Sequence, residues 1–315
     1  MARVGVVRGG RSLERQFSLD SGHNVATALR SAGHESLELD VDENLTQSLR
    51  GMDCAFVALH GRDGEDGTIQ SVLDAFAIPY TGSDRLACHL CFDKPVASGV
   101  LRRAGIATPD SFVVHAEAVR HMGAGAAMGE AAGRLGYPIV VKPATQGSGL
   151  GVGVVREPEE LPAAAMTAFN NGDRILLERF IQGVELAVTV LQEPGRRPRA
   201  LPPVQISTEG VFDFRARVTP GAATYTCPAD IREELLEAAC GVAVSAFEEL
   251  GARDFARVDL IVSEERGAVV LEVNPCPGLT ETSLLPLAVR ASGGSFEDFA
   301  SSVVDAAIVR GEAAH

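Results

Sequence analysis

Residues 142–153 read Lys-Pro-Ala-Thr-Gln-Gly-Ser-Gly-Leu-Gly-Val-Gly, a lysine at the end of an apolar strand followed by a loop with glycine at alternate positions. Such glycines let backbone N–H groups close over phosphate oxygens. The dinucleotide pattern Gly-x-Gly-x-x-Gly fails because Val152 and Val154 occupy glycine positions, and the chain has no Gly-Lys pair for a P-loop. Because a strand follows, the loop is predicted to be a hairpin lid over a nucleotide; a glycine-rich turn without a ligand is the alternative.

Lysine is almost absent from the rest of the chain. Of the 28 basic residues, all but Lys94 and Lys142 are arginine. Two compact ammonium groups in an arginine-rich chain indicate places where a planar guanidinium with five donors would not fit. The two lysines therefore point to a functional site, although leftovers of a lysine-poor composition are the alternative.

Two segments carry polar residues at alternate positions of predicted strands. They are Arg257-Val-Asp259 and Glu272-Val-Asn274. Alternation places both members of each pair on one face, so the four groups converge if the strands pair. Oxygen donors with an amide among them suit Mg²⁺, which takes few protein oxygens together with water and phosphates. Four polar residues on an exposed sheet are the alternative.

A glycine-rich turn follows the predicted apolar strand 54–59. It reads His60-Gly-Arg-Asp-Gly-Glu-Asp-Gly67. Open α/β sheets bind ligands at the carboxyl ends of their strands, so the turn makes His60 a candidate site residue. A purely structural histidine is the alternative.

The order of predicted elements changes twice along the chain. Strands and helices alternate up to residue 92, as in a parallel sheet, and a single Ala/Gly-rich helix is predicted before Gly136. Short strands joined by Gly/Pro turns dominate residues 147–225, and a helix over 231–250 then precedes two strands and two closing helices. The predicted fold class is therefore α/β and α+β. We expect three domains, at 1–92, 93–183 and 184–315.

Composition narrows the class of protein. The 315 residues are 46% hydrophobic, which is ample for buried cores, and their net charge is −14. Such an acidic chain is a poor partner for nucleic acid or an anionic membrane surface. We expect no signal segment, because the first thirty residues contain no long apolar stretch, and no stretch of the given sequence reaches the roughly 18 apolar residues that a membrane span needs. We therefore expect a cytoplasmic protein with reduced cysteines.

Together these motifs resemble those of the D-alanine–D-alanine ligases of the ATP-grasp superfamily, over nearly the whole chain. The resemblance implies an N-terminal parallel-sheet domain that binds substrate, a central ATP-grasp lid domain and a C-terminal catalytic domain. It also implies a role in peptidoglycan precursor synthesis. The matching segments are Gly9–Glu14, Ser18, Ser21-Gly22, His60–Gly67, Pro79–Ser83, Asp93-Lys94, Lys142-Pro143, Gly147-Ser148, Glu178, Glu185, Arg257–Asp259, Glu272–Thr280 and Ser283-Leu284.

The resemblance also implies where ATP and metal bind. Lys94 and Lys142 would hold the phosphates under the loop that contains Gly147 and Gly149, and Glu185 would bond the ribose hydroxyls. Two Mg²⁺ ions, or Mn²⁺ in their place, would bridge the phosphates from a set of three oxygen donors. That set is Asp259, Glu272 and Asn274. The adenine would meet the backbone of Glu178, Arg179, Phe180 and Ile181.

The implied reaction joins two D-amino acids. Phosphoryl transfer to the carboxylate of the first would give an acyl phosphate, which the amine of the second would then attack. Glu14 would hold the ammonium of the first substrate, and Arg257 with the Gly278 N–H would stabilise the tetrahedral oxyanion. The resemblance places Ser148 with Glu14 among the catalytic residues. Further substrate-site residues are His60, Ser283 and Leu284.

The loop around residue 218 departs from the family pattern. A tyrosine usually closes the substrate site there, hydrogen-bonded with the residues that match Ser148 and Glu14, whereas this chain has Val218. Tyr225, further along the loop, is a candidate substitute. Arg215 and Arg217 stand where an acid and a lysine are usual, and Gly149 where a second serine is common.

These departures keep several functions open. D-Ala-D-Ala ligation is the first hypothesis, and a changed second substrate, such as another D-amino acid or a D-hydroxy acid, is the second. A nucleotide-binding regulator without catalysis is a third, although Lys94, Lys142 and the metal set are all present. The expected partners are small molecules. The family resemblance further implies that the protein forms a homodimer.

Restoring the tyrosine tests the interpretation of the loop. Val218→Tyr should raise D-Ala-D-Ala formation, because the added hydroxyl would complete the hydrogen bonds to Ser148 and Glu14. Phosphate release and mass detection of products, compared with wild type, measure the effect. An unchanged rate and product profile would show that the interpretation is wrong.

Overall fold

The computed structural model describes residues 1–208, 210, 214–219 and 221–313, without the side chains of Arg217 and Val218. The described residues form thirteen strands. They are β1 (Arg3–Arg8), β2 (Glu35–Asp40), β3 (Cys54–Val57), β4 (Ser111–His115), β5 (Ile139–Pro143), β6 (Gly153–Val155), β7 (Arg174–Arg179), β8 (Val184–Leu191), β9 (Arg199–Ala200), β10 (Val204–Thr208), β11 (Ala223–Thr226), β12 (Phe255–Ser263) and β13 (Gly267–Asn274).

The helices surround three sheets. They are α1 (Arg15–Ser31), α2 (Leu45–Ser48), α3 (Thr68–Ala75), α4 (Arg85–Phe92), α5 (Lys94–Arg103), α6 (Ala116–His121), α7 (Ala124–Leu135), α8 (Leu161–Phe169), α9 (Phe214–Val218), α10 (Glu233–Glu249), α11 (Leu284–Ala291) and α12 (Phe296–Ala313), with a short 3₁₀ turn at Pro158–Glu160. Within the described ranges, no helix combines the length and the apolar character that crossing a bilayer requires.

The first sheet is parallel, in the order β2-β1-β3, as the sequence predicts. Val4 and Val6 of β1 pack into a core that includes α1 and α12, while Val7 packs into a second core on the opposite face. Burial on both faces explains why β1 reads as a continuous apolar run. The carboxyl ends of these strands carry the loops that follow Arg8 and Val57.

The second sheet is antiparallel, in the order β4-β7-β5-β6. Ile139 and Val141 of β5 face the core made with α7 and α8. Alternation turns Val140 and Lys142 to the other side, where both line a cleft. One strand therefore serves the core and the site at once.

The third sheet is antiparallel, in the order β11-β10-β8-β12-β13, with β9 paired to β8. Val258 and Leu260 of β12 pack with α10, and the intervening Asp259 and Ile261 line the cleft. A register shift between Asp259 and Leu260 interrupts the β12–β13 ladder. The second and third sheets thus each turn one face toward a common space.

One predicted helix is wrong. The Ala/Gly-rich stretch before Gly136 forms two helices, α6 and α7, because Gly123 adopts a left-handed conformation with φ of +67° and ends the helical path. Helix α8 was not predicted from the sequence. Tertiary packing of this weakly patterned, Ala-containing segment decides its helical structure.

An ion pair with a buried carboxylate joins the C-terminal helix to the residue that precedes β12. Arg310 of α12 donates through both terminal nitrogens to the carboxylate of Asp254, at 2.5 and 2.7 Å. Asp254 also accepts the Gly82 N–H at 2.8 Å, and its side chain is only 4% exposed. A carboxylate so deeply buried depends on its cationic partner.

Removing that partner should destabilise the fold. Arg310→Ala is expected to lower the free energy of unfolding by about 2–4 kcal/mol, because Asp254 is left buried without its counter-charge. Urea unfolding measures this. Arg3→Ala is the control, since the Arg3–Glu35 pair is roughly half exposed and should contribute less than about 1 kcal/mol. Equal losses in the two variants would contradict the prediction.

Candidate functional site

A cleft of about 220 Å³, open at its mouth, lies between the second and third sheets. It gathers residues that are far apart in sequence, from α5, β5, the strand end at β7, β8, β12 and β13. Sequence-predicted residues in its lining are Lys94, Lys142, Gly149, Glu178, Arg179, Phe180, Ile181, Glu185, Asp259 and Glu272. The nucleotide and metal residues predicted from the sequence are therefore neighbours, with Gly147 and Asn274 outside this lining.

Both lysines point into the cleft and each meets a carboxylate. Lys142 Nζ lies 2.6 Å from Glu178 Oε2, and both side chains are almost fully buried. Lys94 Nζ lies 3.3 Å from Glu272 Oε2 and donates to the Gln146 carbonyl at 2.6 Å. The lysines thus sit beside the acidic residues of the neighbouring strands, and not in bulk solvent.

Local hydrogen bonds fix the position of Lys94. Asp93 caps α5 by accepting the Val96 N–H, and it also accepts from Arg174 of β7 at 2.7 Å. The Lys94 N–H itself donates to the Ala144 carbonyl, just beyond β5. The helix that carries one lysine is therefore attached to the strand that carries the other.

The pairing of β12 with β13 places four polar groups side by side. Arg257 is opposite Asn274, and Asp259 is opposite Glu272. Arg257 donates Nε and Nη2 to the two Asp259 oxygens at 2.6 and 2.7 Å. Burial alone would lower the pKa of Arg257, but the charge and hydrogen bonds of Asp259 outweigh it and raise that pKa above its ordinary value. The convergence predicted from the two segments is present.

The proposed metal donors are two carboxylates and one amide oxygen. The described part of the chain holds no group of three or more His, Cys, Asp or Glu side chains arranged for a metal ion. Asp259 and Glu272 supply two adjacent carboxylates, and Asn274 supplies an amide oxygen that accepts the Cys276 N–H at 2.9 Å. Two carboxylates completed by phosphate oxygens and water are a common Mg²⁺ environment.

A second cluster forms around the start of the glycine loop. Ser148, with φ of +54°, donates a hydrogen bond to Glu14. A β-carbon on Gly147 would lie 3.1 Å from one Glu14 oxygen and 3.6 Å from one Glu65 oxygen, so two carboxyl groups flank this glycine. The loop after β1, the turn after β3 and the loop after β5 therefore meet here.

Glu65 is a site residue that the sequence analysis missed. Its side chain is buried, and burial, followed by the nearby charge of Glu14, raises its pKa to about 8. Glu272 and Lys94 also act on it electrostatically, which places it between the two clusters. The one feature of the sequence that could have identified Glu65 is its position within the turn 60–67, at the end of a buried strand.

A third cluster surrounds Gly278. A β-carbon there would lie 2.5 Å from the Phe17 ring and 2.8 Å from Ser283 Oγ, so a larger residue would force these side chains to shift. Ser283 occupies the N-cap position of α11 without a side-chain capping bond, and Leu284 is the first residue of that helix, whose first N–H groups have no partner within the helix. His60 is buried near this turn, and its two ring nitrogens lie 2.9 Å from the Cys276 carbonyl and 2.9 Å from Ser21 Oγ.

Part of the loop that distinguishes this chain lies outside the described residues. The Phe214 N–H donates to the Gly149 carbonyl at 3.3 Å, so α9 contacts the glycine loop. Phe212 and the side chains of Arg217 and Val218 are not described, and the interpretation of Val218 stays a prediction. Tyr225 lies on β11, opposite Ile206.

Two family models and several individual proteins match this chain. A family model described as "D-ala D-ala ligase C-terminus" matches residues 100–305, and one described as "D-ala D-ala ligase N-terminus" matches residues 34–83. The D-alanine–D-alanine ligase of Desulforudis audaxviator is 42% identical over 308 residues, covering 96% of this chain and 97% of that protein. That of Geobacter sulfurreducens is 40% identical over 319 residues, covering 99% and 96%.

Solved structures agree with these matches. A crystal structure of D-alanine–D-alanine ligase from Bacillus anthracis complexed with ATP superposes with a TM-score of 0.83 at 27% identity, over all of both chains. The VanG D-Ala:D-Ser ligase from Enterococcus faecalis superposes with a TM-score of 0.82 at 26% identity, over 97% of this chain and 99% of that one. The three-domain ATP-grasp architecture expected from the sequence is confirmed at the level of the fold.

The raised pKa of the buried Glu65 carboxyl leads to a prediction about stability. With a pKa near 8 in the folded protein and an ordinary value near 4.5 in the unfolded chain, Glu65 keeps its proton only when folded between these pH values. The folded protein then binds more protons, so Glu65 makes stability fall as pH rises through this window. Glu65→Gln should remove that fall, on the order of 3–4 kcal/mol between pH 5 and 8.

Urea midpoints at pH 5 and pH 8 measure this effect. Glu43→Gln, which alters an exposed glutamate, is the matched control and should leave the wild-type pH dependence unchanged. A Glu65→Gln protein whose stability still falls as steeply as that of wild type would refute the assignment.

Proposed function

This chain belongs to the D-alanine–D-alanine ligase family, and on that premise we propose that it uses ATP to join two D-amino acids, D-alanine first among them. The observation that carries the proposal is the 3.3 Å approach of Lys94 to Glu272 in a cleft that Lys142 and Asp259 also line. Cations for phosphate and oxygens for a divalent ion are thereby brought to one space, as phosphoryl transfer requires.

The nucleotide is proposed to occupy this cleft. The Bacillus anthracis relative is complexed with ATP. Here Lys94 and Lys142 would meet the phosphates, with Gly147 and Gly149 in the loop above them. Glu185 would bond the ribose hydroxyls, and the backbone of 178–181 would meet the adenine beside the apolar side chains of the lining.

Magnesium is the proposed metal, with Mn²⁺ as an alternative ion. Asp259, Glu272 and Asn274 would hold two ions between protein and phosphates. Bound there, the metal would supply charge neutralisation for phosphoryl transfer. The protein residues supply the oxygen donors and keep them in register through the β12–β13 ladder.

The first step is attack of the first substrate's carboxylate oxygen on the γ-phosphorus, which forms an acyl phosphate and releases ADP. Glu14, oriented by Ser148, would hold that substrate's ammonium through a charge-assisted hydrogen bond. Lys94 and Lys142 would exchange their carboxylate partners for phosphate oxygens. The chain's part in this step is positioning and charge stabilisation.

In the second step the amine of the second substrate attacks the acyl carbon, and inorganic phosphate leaves. Arg257 and the Gly278 N–H would stabilise the tetrahedral oxyanion. Ser283 and the Leu284 N–H, at the start of α11, would hold the second substrate's carboxylate, which a helix N-terminus favours. His60 lies under this part of the substrate site.

A changed second substrate is the other candidate function. The observation that favours it is Val218 at the place of the usual tyrosine, and one similar structure is a D-Ala:D-Ser ligase. We further propose that residues 1–92, 93–183 and 184–315 act as the substrate-binding, lid and catalytic domains. The protein is proposed to act as a homodimer in the cytoplasm, on small molecules only, in peptidoglycan precursor synthesis.

A phosphate-release screen tests the proposal. Purified full-length protein with ATP and Mg²⁺ should release phosphate with D-alanine, and mass detection should find the dipeptide; D-serine and D-lactate as second substrates identify a changed preference. Lys142→Met should lower the rate by roughly 100-fold, because a phosphate-binding charge is lost. Lys142→Arg should restore little of it, since a guanidinium does not fit the paired site.

Three outcomes would count against it. Full activity in excess chelator would contradict the metal assignment. ATP binding without turnover of any D-acid would support the regulator. Wild-type rates in Lys142→Met would exclude this lysine from the phosphate site.

A further inference from the structure

A closed chain of hydrogen bonds ties down both sides of Gly278. The Cys276 carbonyl, two residues before Gly278, lies 2.9 Å from His60 Nδ1. The Leu279 N–H, one residue after it, donates to Ser21 Oγ at 3.2 Å. His60 Nε2 and Ser21 Oγ are 2.9 Å apart, so one His–Ser pair connects the two flanks of the turn.

The donor or acceptor nature of each backbone group sets the direction of its bond to His60 or Ser21. A carbonyl oxygen can only accept, so His60 Nδ1 carries a proton and donates it to Cys276. Ser21 Oγ accepts the Leu279 N–H, and the same oxygen is hydrogen-bonded to His60 Nε2. His60 is only 2% exposed and Ser21 is fully buried, so water does not compete for these bonds.

Packing restricts the same turn. The Phe17 ring lies 4.9 Å from the His60 ring, centre to centre, and it also blocks the space where Gly278 would carry a β-carbon. The Cys276 N–H donates to Asn274 Oδ1 at 2.9 Å, which continues the restraint to the end of β13. Helix α1, the turn after β3 and the end of β13 thus determine where the Gly278 N–H points.

We propose that His60 and Ser21 are positioning residues that hold the Gly278 N–H where negative charge develops on the carbonyl oxygen during the ligation step. This inference rests on the proposed function, in which Gly278 is an oxyanion donor. A donor used only in the transition state affects kcat, whereas binding of ATP and of the first substrate does not depend on it. Displacing the donor by a fraction of an ångström is enough to weaken it.

Steady-state kinetics with D-alanine test the proposal. Ser21→Ala and His60→Ala should each lower kcat by about 10- to 50-fold with the KM for ATP within about twofold of wild type. The double variant should lose little more than either single one, because both break the same connection. His60→Asn should recover part of kcat, since its side-chain amide can donate to the Cys276 carbonyl as Nδ1 does.

Ser18→Ala is the matched control. Ser18 lies one turn earlier on α1, is fully buried, and makes two hydrogen bonds, accepting from the Gly9 N–H and donating to the Ala58 carbonyl. Its loss should reduce thermal stability about as much as Ser21→Ala while kcat stays within twofold. Assays run well below each variant's melting temperature, with His60→Asn as the mildest change, keep folding losses separate from kinetic ones.

The outcomes separate the two claims. If wild type forms no dipeptide or depsipeptide with any D-acid, the proposed function falls and this inference with it. If wild type is active but Ser21→Ala and His60→Ala keep the kcat of Ser18→Ala, or raise the KM for ATP in place of lowering kcat, the positioning role alone is overturned.

Discussion

The register between β12 and β13 is the constraint on which the site depends. It sets Arg257 opposite Asn274 and Asp259 opposite Glu272, so that one ladder carries a guanidinium and three oxygen donors, of which Asp259 and Glu272 line the cleft. A slip of one residue would turn each of these side chains into the core and bring Val258 to the cleft. The buried apolar residues between them therefore hold the chemistry in register.

Three cations in or beside the cleft are each matched to a carboxylate. Lys94 meets Glu272, Lys142 meets Glu178, and Arg257 meets Asp259. Buried ion pairs contribute little net stability, because desolvation offsets their attraction. Their value here is that the charges are already desolvated and oriented before a triphosphate arrives, which reduces the reorganisation that its binding and reaction require.

The substrate side of the site is built from segments that are far apart in the sequence, and no local sequence pattern connects them. Glu14 and Glu65 come from loops after β1 and β3, yet they flank Gly147 of the loop after β5. The turn at Gly278 is held by α1 and by His60, which are more than 200 residues away in sequence. These loops all leave the ends of strands, where a rigid sheet can fix several of them relative to one another.

The sequence by itself determined the fold class, the two lysines and the polar pairs on β12 and β13. These are properties of spacing, since alternation along a strand decides which side chains share a face, and a residue as rare as lysine is conspicuous in this composition. It also carried the family resemblance, through short motifs in a fixed order. All of these signals are readable within a few residues of chain.

Tertiary structure alone decided the rest. The break between α6 and α7, the proton retained by Glu65, and the His60–Ser21 connection across Gly278 arise from contacts between distant segments. Periodicity within a window cannot report them, because burial and hydrogen-bond partners depend on which elements pack together and not on neighbouring residues. Local pattern therefore specified which groups are present in the cleft, and long-range packing specified how they are charged, oriented and held.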